Sequence, residues 1–166
     1  MMNRKFVSLF MLILLVGSSL SSKVETFSLR TYTSEHEALK NLISEYQIKG
    51  PLYQLVLERD NTLLLLTVVK KGVYSVGEIV EEEGKYSAYK LSSDVNISTS
   101  LSARWEFRTL EGEFFTISIS KDKQSDTQVF FENLPIYASI FQGQVLNKRE
   151  AELTNILRSY ILKNVI

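Results

Sequence analysis

The stretch Asn61-Thr62-Leu63-Leu64-Leu65-Leu66-Thr67-Val68-Val69, closed by Lys70-Lys71-Gly72, is the one from which the fold reads outward. It is apolar at both parities, so a strand here needs apolar cover on both faces, as a central strand does. It is far short of the ~20 residues a helix needs to cross a bilayer. The segments on either side alternate apolar and polar residues, the pattern of strands with one wet face. Together they predict an α+β fold: a single antiparallel sheet, a meander of short connections, covered by an N-terminal and a C-terminal helix. An all-β barrel with peripheral helices is the alternative.

Upstream, Lys23 to Tyr32 partly alternates and reads as a short strand or extended lead-in. Ser34-Glu35-His36-Glu37 then has the form of a capping box, with acids placed at the positive end of the helix dipole. Ala38, Leu39, Leu42, Ile43 and Tyr46 recur at helical spacing, and Gly50-Pro51 is the expected stop. Leu52 to Glu58, the central run, Val73 to Val80 and Tyr86 to Leu91 follow as strands, with Gly77 marking a bulge or a close backbone approach.

Downstream, Asp94 to Ser102 reads as a loop around a short strand at Val95-Asn96-Ile97. In Ala103 to Thr109, Trp105 and Phe107 share one parity and Arg104, Glu106 and Arg108 the other. Phe115, Ile117 and Ile119 make an inward row, and Lys121 to Thr127 is a polar loop. Two apolar segments flank Pro135, which demotes one of them to an edge. Asn147 to Leu162 predicts the closing helix, with Leu153, Ile156, Leu157, Tyr160 and Ile161 as its apolar stripe.

The chain of 166 residues, 45% hydrophobic and 23% charged, sits near the globular average, against both disorder and a multi-span membrane protein. Arg4 and Lys5 are the charged residues among the first 22, so the remainder carries 17 basic against 19 acidic side chains. Such a balance gives no electrostatic reason to expect nucleic acid as partner. Arg4-Lys5, the apolar run Phe6 to Val16 and the small residues Gly17 to Ser22 have the order of a secretory signal, with cuts after Ser18 or Ser21. Residues 1–22 are thus expected to be a signal peptide, or else an uncleaved N-terminal anchor, and residues 23–166 a single α+β domain. Ser18 stands where a lipoprotein signal needs cysteine, which excludes that lipidation. The chain has no cysteine. An exported chain without disulfides fits a bacterial envelope or secreted protein better than an animal extracellular module, and thiol chemistry is excluded.

No catalytic set stands out. His36, the single histidine, lies between Glu35 and Glu37, and adjacent helical residues point apart, so these three do not converge on an ion. Glu78 with Glu81-Glu82-Glu83 lacks the alternating spacing of calcium loops. Asn96-Ile97-Ser98 satisfies the glycosylation tripeptide, which counts only in a eukaryotic secretory pathway. The residues best suited to an interaction surface are Arg104, Trp105, Glu106 and Arg108, with Tyr74, Tyr86 and Tyr89 on neighbouring strands, since arginine and aromatics anchor interfaces. The competing reading makes them a half-buried strand with paired charges. The functional expectation is an exported, non-enzymatic binding module of the bacterial envelope or secretome, whose partner is a protein or an envelope component. It would need no cofactor and would touch a membrane only through an uncleaved N-terminus. Alternatives are an inhibitor or regulator of an envelope enzyme, presenting Lys121 to Thr127 or Asp94 to Ser102, and a small carboxylate-dependent hydrolase.

Overall fold

The computed structural model describes residues 30–57, 63–131, 133–146, 152–154 and 156–162. The segment read as an export signal lies outside these residues. The order of elements is α1 (Glu35–Glu45), β1 (Leu52–Leu57), β2 (Leu63–Lys70), β3 (Val73–Glu82), β4 (Lys85–Lys90), β5 (Val95–Asn96), β6 (Ser102–Arg108), β7 (Phe114–Ser120), β8 (Val129–Phe131), β9 (Ile136–Gln142), β10 (Glu152–Thr154) and β11 (Ile156–Ile161).

These strands form two antiparallel sheets, where the sequence predicts one. The first has the order β11-β1-β2-β3-β4, with β5 paired to the start of β3. The second has the order β10-β9-β7-β6, with β8 sharing the β10 side of β9. The Lys121 to Thr127 loop joins β7 to β8. Inward residues of both sheets, among them Leu64, Leu66, Val76, Phe115, Ile117 and Ile140, belong to one apolar cluster. The molecule is therefore a β-sandwich with α1 laid on the outer face of the first sheet.

The expected pair of covering helices is corrected on this point. One cover of β2 is a helix; the other is the second sheet. Leu64, Leu66 and Val68 face that sheet, while Leu63 and Leu65 pack with Leu39 and Leu42 of α1. Leu64, Leu65 and Leu66 are each 0% exposed. Thr67, on the helix side, is also buried, and its hydroxyl bonds to the carbonyl oxygen and hydroxyl of Ser75 across the β2–β3 pair.

The predicted closing helix is the second correction, because the described part of that segment is strand. β11 pairs with β1 through Ile161↔Tyr53, Tyr160↔Gln54, Ser159↔Leu55 and Arg158↔Val56, and then the register slips so that Ile156 opposes Leu57. This bulge turns Ile156 and Ile161, an odd number of residues apart, toward the same inter-sheet core. Strict alternation is thereby lost, and the apolar spacing imitates a helix. β10 and β11 are separated by one residue, so the chain passes from the second sheet to the first at that corner.

The N-terminal helix forms half of its capping box. Ser34 Oγ accepts from the Glu37 backbone N–H at 3.3 Å, but the Glu37 carboxylate takes the Thr33 hydroxyl at 2.9 Å. The helix stops at Glu45, before Gly50, because Gln47 turns left-handed (φ 50°) and the Ile48 N–H closes on the Ile43 carbonyl. Gly50 serves a close approach instead: a Cβ there would lie 2.6 Å from the Val68 carbonyl oxygen. Gly77 does the same against the Tyr89 carbonyl.

Both covers of β2 are tested by truncation. Leu64→Ala and Leu65→Ala should each lower unfolding stability by about 2–5 kcal/mol, the usual cost of a cavity at a fully buried leucine. Urea titrations followed by circular dichroism would measure this, and a Leu64 or Leu65 variant indistinguishable from the native chain would contradict the two-faced burial.

Candidate functional site

Where the two sheets end beside the β2–β3 turn, a cavity of about 590 Å³ opens between them. Val68 of β2 and Tyr74 of β3 form its wall on the first sheet. Leu134 and Pro135 from the β8–β9 turn and Ile136 at the start of β9 form its wall on the second. Lys71, Gly72, Ser98 and Lys121 complete the lining, which is mainly apolar. The volume falls in the range of small-molecule pockets, ~300–1,000 Å³.

Local sequence chemistry holds this mouth in place. Gly72 adopts φ +74° in the two-residue turn between β2 and β3, a conformation that favours glycine. Its carbonyl accepts from the Ile97 N–H at 2.8 Å, and Ser98 packs so close that a side chain at Gly72 would collide with it. The Asn96 side chain caps the same bend by accepting from the Ser98 N–H at 2.8 Å. The Lys121 ammonium, just past the end of β7, donates to the Ser98 carbonyl at 3.1 Å and so ties the second sheet to the first. Behind the mouth, Tyr53 sits edge-on to Phe131 with 5.4 Å between ring centroids. The Tyr53 hydroxyl is buried and meets no hydrogen-bond partner among the described residues. Burial, and then the neighbouring Tyr74, push its pKa up, and burial does the same to Tyr74, so both phenols are neutral donors.

Charge is unevenly distributed along the strands. Lys70, Lys71 and Lys121 lie at the cavity end, and the ion pairs among the described residues do not involve them. Glu81 and Glu82 occupy the opposite end of β3 and Glu83 the turn after it, with Lys85 beyond. Glu78 is buried there at 4% exposure and accepts the Leu110 N–H at 3.0 Å, bracketing β3 to the β6–β7 turn. Burial raises its pKa most; the Leu110 N–H opposes this, and Glu111 and Glu113 add to it. Among the described residues no three histidine, cysteine, aspartate or glutamate side chains gather closely enough to hold a metal ion.

The residues singled out from sequence are distributed over several places. Tyr74 lines the cavity. Trp105 faces the inter-sheet core with its Nε1 buried, and the Tyr89 hydroxyl is buried as well. Tyr86 forms a backbone bridge with Tyr32 along the free side of β4. On the outer face of the second sheet, the Arg104 guanidinium lies 5.8 Å from the Phe141 ring centre, and Arg108 lies 5.4 Å from that of Phe114 while donating to the Gly112 carbonyl. Glu106 accepts from the Leu146 N–H at 2.8 Å and the Gln144 amide at 3.3 Å. These three charges fasten their own sheet. His36 is exposed at the start of α1. Lys71 and Lys121 carry no sequence signal beyond that of turn and loop residues, and Leu134 reads only as the end of the apolar segment before Pro135.

Glu78 supplies a pH test. A carboxyl whose folded pKa is raised loses stability as pH climbs from the ordinary carboxylate range through the raised value. Glu78→Gln keeps an acceptor for the Leu110 N–H without the charge, so it should melt above the native chain at neutral pH. The gap should close near pH ~3.5, below the usual glutamate pKa of ~4.3. Thermal melts at the two pH values decide this, and a gap unchanged with pH would contradict the burial of a titrating Glu78.

Comparison of the chain with protein-family models, curated proteins and solved structures finds no match.

Proposed function

We propose that this chain is an exported, non-enzymatic binding module, and that its ligand seats in the cavity between the sheets. The observation that carries this reading is a cavity of about 590 Å³, mainly apolar, walled by residues from both sheets. Apolar pockets with a few polar groups are the usual form of small-molecule sites. The polar groups available there are ammonium, hydroxyl and backbone groups, which bind and orient; the Lys121 ammonium is given to the Ser98 carbonyl and not to its hydroxyl, so these two do not form the nucleophile–base pair covalent catalysis requires. Glu78 and its acidic neighbours belong to the far end of β3, where Glu78 is engaged by a backbone N–H. A carboxylate hydrolase therefore has less to stand on than a binder. The amino-terminal order of charge, apolar run and small residues supports export.

A neutral, polarity-sensitive dye such as Nile red tests the reading with the full-length protein. Fluorescence should saturate at one dye per chain. Leu134→Trp, which places a bulky ring at the rim, should weaken binding by about tenfold, equivalent to about 1.4 kcal/mol. Melting curves of the variant should stay close to native, since the position is only half-buried. Absence of saturable binding, or binding untouched by Leu134→Trp, would overturn the proposal.

A further inference from the structure

The cavity mouth combines two features that neither sheet has alone. Its interior is hydrocarbon-like, from Val68, Leu134 and Ile136, and its rim carries two ammonium groups, Lys71 and Lys121. Lys121 donates a hydrogen bond to the Ser98 carbonyl, which fixes its position but leaves its charge uncompensated. Lys71 is exposed, and neither lysine meets a carboxylate among the described residues. Lys70 adds a third positive charge alongside, and Asp122, exposed beside Lys121, is the adjacent acid. A purely apolar ligand would satisfy the walls and leave the rim unused. A purely ionic one would leave the walls wet.

Resting on the reading of this cavity as a ligand site, we propose that its ligand is an amphiphile with an anionic head, its apolar chain against Val68, Leu134 and Ile136 and its carboxylate or phosphate between Lys71 and Lys121. The tail supplies affinity through burial of apolar surface. The head supplies orientation, because both ammonium groups stand at the mouth and only one end of such a molecule is charged. Three properties follow: a preference for anionic over neutral chains of equal length, a loss of that preference at high salt, and dependence of the preference on the two lysines. Exposed ion pairs are weak, so two lysines together supply a preference of about tenfold.

The experiment is displacement of Nile red from the full-length protein by three probes with one alkyl chain: lauric acid, lauryl phosphate and lauryl alcohol. The two anions should displace the dye at about tenfold lower concentration than the alcohol at low salt, and the advantage should shrink as salt screens the rim. In Lys71→Gln the advantage should fall, and in the double variant Lys71→Gln/Lys121→Gln it should vanish, while the alcohol still displaces the dye, which a merely misfolded variant would not allow. A response to only one of the two anions would support the inference and identify the head as carboxylate or phosphate. Equal displacement by all three probes would overturn the anionic head while leaving the cavity reading intact. Failure of every probe, with the dye bound elsewhere or not at all, would overturn both.

Discussion

Leu64, Leu65 and Leu66 follow one another along β2, and all three are shut off from solvent. Successive side chains of a strand point to opposite faces, so this run demands two separate apolar partners. The second sheet meets one demand, through Phe115, Ile117, Ile119 and Ile140, and α1 meets the other, through Leu39 and Leu42. Burying each leucine contributes about 1.5–3 kcal/mol, large beside a net stability of ~5–15 kcal/mol for a domain. The layering of the molecule follows from that one strand.

The same layering creates the cavity. Two sheets that pack along most of their length must still be joined by turns at their ends, and turns carry glycine, proline and small polar residues in place of core residues. At the β2–β3 end the turn residues are Lys71 and Gly72, and the facing turn offers Leu134 and Pro135. The apolar walls therefore continue to the surface, where cations frame them. At the far end the Glu78 carboxylate is bonded to Leu110 and links the sheets. The two ends of one sandwich are thus chemically distinct.

Part of this architecture is legible in the residues alone. Ser34 announces the start of α1, and the parity of Trp105, Phe107, Phe115, Ile117 and Ile119 assigns their inward faces. The leucine run announces a strand covered twice but does not say by what, since a helix and a sheet offer equivalent apolar surfaces. The last strand reads as a helix for a definable reason. A bulge opposite Val56 and Leu57 shifts the parity of β11, and the resulting apolar spacing matches a helix better than a strand. The candidate site is less legible still. Val68, Ser98, Lys121 and Leu134 lie far apart in the chain and meet only through sheet packing, which no local pattern encodes. The arginine and tyrosine residues that look best suited to binding are in large part engaged within the fold, as Arg104 is with Phe141 and Arg108 with Gly112.

The two faces of β2 meet different layers. Methyl-labelled nuclear Overhauser spectroscopy measures this directly. The Leu65 methyls should show cross-peaks to Leu39 or Leu42 of α1, and the Leu64 and Leu66 methyls to Ile117, Ile119 or Ile140 of the second sheet. Cross-peaks from Leu64, Leu65 and Leu66 to a single layer, or from Leu66 to a helical closing segment, would contradict the sandwich.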